Sequence, residues 1–316
     1  MRVLITGATG FVGRHLCQAF VEAKHQVVAL VRRESEGLSA LGVKQVKGHL
    51  ENKDSLQQAF SEAGEVEVLV HNAGLVRAKS LDHYWKVNAI GTFNLLEAVK
   101  TNGLSPRQVI YISSLAAAGP GRLVKEEDEP RPLTPYGESK LYGERFVKTS
   151  GIPYLIFRPP VIYGPRDRAL LGFFKLVKLG VVPKWQRHYS LCFVKDLARA
   201  CVEGAERGIT GETVFVAQGE FTFLELADKA GEILGKRPKR VPLPQGIIRV
   251  VGIAGGLARC LFRMAPLLSP EKAQEMRQPA WSCSTERYHQ LKLPQPASLE
   301  EGFRETLEWY QKEGWL

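Results

Sequence analysis

Short apolar runs alternate with amphipathic segments over the first half of the chain. The apolar runs predict strands at 2–5, 26–31, 43–47, 67–71, 108–113 and 152–158. Between them, apolar residues at helical spacing predict helices over about 12–24, 54–63, 83–101 and 136–149. Strands that alternate with helices of this length form βαβ units and a parallel sheet. The first half is therefore predicted to be a doubly wound α/β domain.

The pattern becomes more helical and less regular after about residue 165. It predicts helices over 169–179 and 195–206 and a strand over 213–217. Capping-box patterns predict further helix starts at Thr222 and Ser298. A serine followed by proline, Ser269-Pro270, predicts another.

This change of pattern predicts two domains. Residues 1–165 and 191–218 are expected to form the first, and residues 166–190 and 219–316 a smaller, mostly helical second domain that would bind the substrate.

Composition excludes several classes of protein and leaves the charge to be explained. The 316 residues are 44% hydrophobic and 24% charged, which excludes a disordered, collagen-like or coiled-coil chain. The net charge of +10 fits nucleic acid, an anionic membrane, an anionic small molecule or simply a solvated basic surface. The basic run at 236–240 lacks interleaved aromatic residues, so we expect no nucleic-acid partner.

The most apolar part of the second half is the segment 246–268, which also carries Arg249, Arg259 and Arg263. A basic amphipathic helix can lie on a membrane. A wall of an apolar ligand pocket is the favoured alternative, because such pockets are the usual ligand sites. Both interpretations are consistent with a hydrophobic substrate.

The cysteines and the start of the chain bear on its location. Five cysteines, an odd number without the spacing of a zinc or redox motif, favour free thiols in a reducing compartment. The first apolar run, 3–5, is too short for a signal peptide. We expect a cytoplasmic protein.

A glycine-rich turn follows the first strand. Gly7, Gly10 and Gly13 stand three residues apart in TGATGFVG, between a predicted strand and a predicted helix. This context is typical of a turn that lets the backbone approach a pyrophosphate at the helix N-terminus. An ordinary strand–helix turn is the alternative. The turn predicts a dinucleotide cofactor.

The end of the second strand indicates which dinucleotide. An acidic residue there would bind the ribose hydroxyls of NAD, whereas an arginine would accept the 2′-phosphate of NADP. The sequence has Val31, Arg32 and Arg33 at this point. NADP(H) is therefore the predicted preference, with NAD(H) as a second possibility; the alternative is that both arginines are solvated loop charges.

A tyrosine and a lysine share one face of the predicted helix at 136–149. Tyr136 and Lys140 are four residues apart, and a nearby ammonium lowers the pKa of a phenol, so that it can act as an acid or base. Ser114 ends the preceding strand, where a hydroxyl would face the ligand crevice or cap a turn. Tyr288 and Lys292 have the same spacing without this context, so no catalytic role is predicted for them.

These features together resemble the extended short-chain dehydrogenases/reductases, also called the NAD-dependent epimerase/dehydratase family. The resemblance covers nearly the whole chain. The motifs that carry it are TGATGFVG at 6–13, VHNAG at 70–74, VNAIGT at 87–92, YISS at 111–114, YGESK at 136–140, RPPVIYGP at 158–165 and FVKDLA at 193–198. The region after Arg158 looks closest to the 3β-hydroxysteroid dehydrogenase and dihydroflavonol reductase branch.

The resemblance implies a Rossmann fold and a role for each matching residue. It implies that Ser114, Tyr136 and Lys140 are catalytic and that Asn88 organises the catalytic helix. It also implies that the dinucleotide contacts Tyr136 and Lys140, together with Gly7, Thr9, Gly10, Phe11, Val12, Gly13, Arg32, His49, Leu50, Asn72, Ala73, Gly74, Pro159, Val161 and Ile162. His49 replaces an aspartate common in the family, and contact with adenine and a plain loop position are both open for it.

The resemblance leaves three hypotheses about function. The leading one is an NAD(P)-dependent oxidoreductase that interconverts a secondary alcohol and a ketone. The alternatives are an NAD-dependent sugar-nucleotide epimerase and a non-catalytic dinucleotide-binding scaffold. A dehydratase is excluded because Leu115 and Ala116 stand where those relatives carry an acidic pair. A homodimer through the helices near 83–101 and 136–149 would also suit the family.

Overall fold

The computed structural model describes residues 1–78, 80–242 and 270–316. The apolar segment 246–268 and Ser269, both singled out from the sequence, lie outside these residues. No helix in the described ranges combines the length and the apolar character needed to cross a membrane.

A seven-stranded parallel sheet forms the first part of the molecule, as predicted. Its strands, in spatial order, are β11 (Glu212–Phe215), β7 (Tyr154–Arg158), β5 (Gln108–Ile112), β4 (Val68–His71), β1 (Arg2–Thr6), β2 (Gln26–Val31) and β3 (Lys44–Lys47). Successive side chains of β1 serve opposite faces: Val3 and Ile5 join one hydrophobic core, and Leu4 joins the other. Burial on both faces explains why these strands are continuous apolar runs.

Helices cover both faces of the sheet. One face packs against α1 (Phe11–Glu22) and α9 (Val194–Glu206), and the other against α3 (Lys53–Ala63), α5 (Gly91–Thr101) and α7 (Pro135–Thr149). The short helices of this part are α2 (Glu36–Ser39), α4 (Leu81–Tyr84) and α6 (Leu115–Ala118). The helix predicted over 83–101 is present, but residues 85–90 within it form a π-helical stretch.

A second sheet, which the sequence analysis did not predict, belongs to the other part of the molecule. Its strands are β12 (Glu220–Thr222), β10 (His188–Phe193), β14 (Ala280–Cys283) and β6 (Gly121–Val124), with β8 (Val161–Tyr163) also paired to β10. A separate parallel pair consists of β9 (Val181–Pro183) and β13 (Lys239–Val241). These strands are too short, and mix polar with apolar residues too freely, to show a two-residue period.

Three of the remaining described helices surround a third hydrophobic core: α8 (Leu171–Lys178), α10 (Phe223–Leu234) and α13 (Leu299–Lys312). The other two are α11 (Pro270–Arg277) and α12 (Glu286–Gln290), whose Tyr288 joins the first core. Both predicted capping boxes are present, Thr222 with Glu225 and Ser298 with Glu301. The helices near 83–101 and 136–149 leave Ile90, Phe93 and Tyr142 exposed, and the homodimer expected there stays a prediction.

A buried histidine joins the ends of β1 and β4 to α5. His71 Nδ1 lies 2.7 Å from Thr6 Oγ1, and its Nε2 lies 2.9 Å from Thr92 Oγ1. Thr6 Oγ1 accepts from the amide of Ala73, so its proton goes to His71. Thr92 donates to the carbonyl of Asn88 and therefore accepts from His71. The ring is held neutral with its proton on Nε2, because each nitrogen has one matching partner.

Burial lowers the pKa of His71 to about 3, with a smaller contribution from the Lys140 charge. In the unfolded chain the same group titrates near 6.5. Between these values the unfolded chain binds the additional proton, so stability falls as the pH drops.

We therefore predict that acidification from about pH 7.5 to about pH 4.5 costs the folded protein roughly 2–3 kcal/mol through His71 alone. The measurement is urea unfolding of the wild type and of His71→Gln at both pH values. The variant should have a lower free energy of unfolding than the wild type at either pH. On acidification, however, its free energy of unfolding should fall by less. His49→Gln, at a partly exposed histidine, is the matched control and should behave as the wild type does. Equal losses in wild type and His71→Gln would contradict the assignment.

Candidate active site

The glycine-rich turn brings backbone, rather than side chains, to the end of β1. Gly7 has φ +68°, and a Cβ there would lie 2.8 Å from the backbone of Ala73. A Cβ on Gly13 would collide with the carbonyl oxygen of Gly7. No side chain caps α1 at Gly10. The first amide groups of this helix therefore point outward, and they carry the positive end of the helix dipole. The turn fits a pyrophosphate group, which needs this close approach.

A polar cleft of about 740 Å³ adjoins this turn at the ends of β2 and β3. It is lined by Thr9, Arg32, Arg33, Glu34, Ser35 and His49. The one acid among these residues, Glu34, pairs with Lys47 at 3.0 Å. Neither arginine forms an ion pair with any described residue, so both remain available to an anion. The structure thus places Thr9, Arg32 and His49 together, as the sequence analysis expected.

The residues predicted on the adenosine side lie behind the same turn. Asn72 Nδ2 donates to the Gly7 carbonyl at 3.3 Å, and the Ala73 amide donates to Thr6. Gly74 lies beside Asn88 and Lys140. Leu50 is buried, and its carbonyl accepts from Asn94 at 3.0 Å. The ends of β1, β3 and β4 therefore meet at one edge of the sheet. Phe11 and Val12 begin α1 at this edge.

Asn88 lies in the π-helical stretch and connects the loop after β4 to α7. Its Oδ1 accepts from the Leu75 amide at 2.7 Å, and its Nδ2 donates to the Leu75 carbonyl and to Ser139 Oγ, each at 3.0 Å. Single π-helical turns are frequent at functional sites. The side chain is fully buried, so it acts on the site through these partners.

Tyr136, Lys140 and Ser114 come together at the carboxyl end of β5. Tyr136 stands in the first turn of α7, which Thr134 caps. Lys140 stands one turn later, where its Nζ donates to the Ile112 carbonyl at 2.6 Å. The Ser114 hydroxyl accepts from the Ala116 amide at 3.1 Å, which caps α6, and forms a hydrogen bond with Tyr136. Ser114 therefore acts as a cap, one of the two interpretations that the sequence left open, and its role in a ligand crevice stays a prediction.

The direction of one pKa shift corrects the sequence analysis. The ammonium of Lys140 was expected to lower the pKa of Tyr136, but burial raises that pKa to about 12, against a smaller opposing effect of the Ser114 hydrogen bond. Burial also lowers the pKa of Lys140 to about 7, although Glu144 opposes this. The ammonium of Lys140 does not lower the pKa of Tyr136 because its Nζ is directed at the Ile112 carbonyl and at the ring of Tyr111, 4.2 Å from the ring centroid. Tyr136 thus holds its proton firmly at neutral pH.

The segment after β7 closes the site. The Pro159 carbonyl accepts from the Leu115 amide at 2.9 Å, which places it directly beside Ser114. Val161 and Ile162 begin β8 and pair with Leu191 and Cys192 of β10. These are the residues expected to face the nicotinamide.

Some organising residues received no role from the sequence. His71 and Thr92 stand within motifs that carry the family resemblance, but only the fold shows that they touch. The second tyrosine–lysine pair is structural: Tyr288 is fully buried and donates to the Pro294 carbonyl at 2.7 Å. Lys292 lies beyond the end of α12. That the second pair has no catalytic role stays a prediction.

Similarity to known proteins agrees with this geometry. A ceramide reductase of Caulobacter vibrioides is 31% identical over 99% of this chain and 96% of its own. A decarboxylating sterol-4-alpha-carboxylate 3-dehydrogenase of Saccharomyces cerevisiae is 28% identical over 97% of both chains.

Solved structures share the fold. The NAD complex of UDP-glucose 4-epimerase from Thermus thermophilus has a TM-score of 0.77 at 22% identity and covers 98% of this chain and 99% of that one. The sequence model of the NAD dependent epimerase/dehydratase family matches residues 3–217. The chain belongs to this family, whose homologues include NAD-dependent oxidoreductases and epimerases.

Proposed function

We propose that this protein reduces a ketone on a hydrophobic substrate to a secondary alcohol, with NADPH as the cofactor. The observation that carries the proposal is that Ser114 and Tyr136 stand at the starts of α6 and α7, at the carboxyl end of β5, with Lys140 one helical turn after Tyr136. A phenol that is protonated at neutral pH has a proton to donate, which is the role that carbonyl reduction needs.

The residues divide the work between them. The bound dinucleotide supplies a hydride to the carbonyl carbon. Ser114 orients and polarises the carbonyl oxygen, and Tyr136 gives its proton to that oxygen as charge develops there. Lys140, one helical turn after Tyr136, would hold the nicotinamide ribose. The reverse reaction uses the same groups in the opposite order.

The names of the relatives support a hydrophobic substrate. The ceramide reductase matches over nearly the full length of both chains, and the name of the yeast relative refers to a sterol. A sugar-nucleotide epimerase would use the same three residues but would show no net consumption of added cofactor. Net oxidation of NADPH therefore separates the two functions.

The cleft beside Thr9 supports NADPH over NADH. Arg32 and Arg33 have no acid partner among the described residues, and Arg32 follows directly on β2. A guanidinium suits a phosphate ester because it donates two parallel hydrogen bonds. No acid stands at the tip of β2 to favour the free hydroxyls of NAD.

Tyr136→Phe tests the proton transfer. The variant should lower kcat by about 10²–10⁴-fold, because it removes the general acid. Binding of NADPH should change little. The assay is NADPH oxidation with a panel of long-chain and steroid ketones, with Tyr142→Phe on the exposed side of α7 as the matched control. Near-wild-type turnover by Tyr136→Phe, or no oxidation by wild type with any ketone, would overturn the proposal.

Arg32→Ala tests the choice of cofactor. The dissociation constant of NADPH should rise by about 10- to 100-fold, the value of a charge-assisted hydrogen bond, while that of NADH stays the same. Calorimetric titration with both cofactors measures this. Lys312→Ala, which removes an exposed lysine that does not line the cleft, should leave both constants unchanged. Wild-type protein that binds NADH as tightly as NADPH would refute the preference.

A further inference from the structure

A surface with both apolar and basic side chains lies in the second part of the molecule, at the end of α8 and on the β9–β13 pair. We define it as the α8–β13 face, residues 175–184 and 236–241. It is one connected piece: the Lys239 amide donates to the Gly180 carbonyl, and the Lys184 amide to the Val241 carbonyl, each at 2.8 Å. The parallel register of the two strands fixes Lys239 opposite Val181.

Four of the apolar side chains of this face point away from the core. Phe174 and Val177 anchor α8 and are fully buried. Leu176 on the opposite side of the helix is 45% exposed, and Leu179 after its end is 77% exposed. Val181 and Val241 on the strand pair are 42% and 44% exposed. Aliphatic side chains that are exposed singly are ordinary, whereas four on one surface form a patch. Such patches mark interaction sites.

Basic side chains surround these aliphatic ones. Seven basic residues of the face are exposed: Lys175, Lys178, Lys184, Lys236, Arg237, Lys239 and Arg240. Within the described part of the chain, Arg240 pairs with Asp228 at 2.7 Å, and the other six form no ion pair. This concentration accounts for a large share of the net charge of +10.

We propose that the α8–β13 face docks on the surface of an anionic lipid membrane. Aliphatic side chains among lysines and arginines match both layers of such a surface, the acyl boundary and the charged headgroups. Nucleic acid offers no partner to exposed leucine and valine, and the described residues of the face present no exposed aromatic ring on which bases could stack. A second copy of the same face would bring like charges together.

This docking surface is separate from the hydride-transfer site and does not depend on the proposed reaction. It would hold the enzyme where a hydrophobic ketone is dissolved. Its test measures binding alone, so that it can fail or succeed whether or not the chain is a reductase.

The experiment is sedimentation of the full-length protein with lipid vesicles. Vesicles of phosphatidylcholine with about a third phosphatidylglycerol should bind the protein, and pure phosphatidylcholine should not. Each basic side chain near an anionic surface strengthens binding about fivefold, so Lys175→Ala/Lys178→Ala/Lys239→Ala should weaken it by about 10- to 100-fold. Leu179→Ser should weaken binding at unchanged charge.

Matched variants separate this face from net charge and from general exposure. Lys53→Ala/Lys86→Ala/Lys312→Ala removes three exposed lysines elsewhere, and Leu81→Ser changes an exposed leucine elsewhere. Both should bind vesicles as the wild type does. Three results would overturn the proposal. The first is an equal loss of vesicle binding in the two triple-lysine variants, and the second is no binding of the wild type to anionic vesicles. The third is binding to duplex DNA that is tighter than binding to vesicles and is unchanged by Leu179→Ser.

Discussion

A buried chain of hydrogen bonds holds the two halves of the candidate site in register. It runs from the Ala73 amide through Thr6, His71 and Thr92 to the carbonyl of Asn88. Each polar group in it has at least one partner, and an unmatched group at this depth would cost free energy. The side chain of Asn88 then continues the connection to the loop after β4 and to α7. The glycine-rich turn and Tyr136 are thereby fixed to the same sheet edge.

Burial decides the electrostatics of the site. It raises the pKa of Tyr136 to about 12 and lowers that of Lys140 to about 7. A phenol that keeps its proton suits reduction of a carbonyl, since the proton is given up only as negative charge develops on the oxygen beside it. The same low-dielectric surroundings make the Ser114 hydrogen bond effective in orienting that oxygen.

The parts that could be predicted from the sequence are those with a strong local cause. Buried parallel strands are continuous apolar runs, and the glycine turn and the capping boxes have fixed residue spacings. The structure confirms the strands of the parallel sheet, the turn and both capping boxes. The second sheet has strands such as Glu220–Thr222 that are too short to show a period. The direction of the Tyr136 pKa shift could not be read from spacing, because it depends on where Lys140 points. His71 gains its partners only when β1, β4 and α5 are assembled.

In the proposed reaction a hydride passes from NADPH to the carbonyl carbon of a hydrophobic ketone. This transfer can be measured if the protein is incubated with a cellular lipid extract and NADPH deuterated at the transferable position, and the lipids are then analysed by mass spectrometry. The extract presents many ketones at once, so no single substrate has to be chosen. Deuterium should appear in a lipid alcohol with the wild type and be absent with Tyr136→Phe. Deuterium that stays on the cofactor, equally in the wild type and the variant, would contradict the proposed reaction.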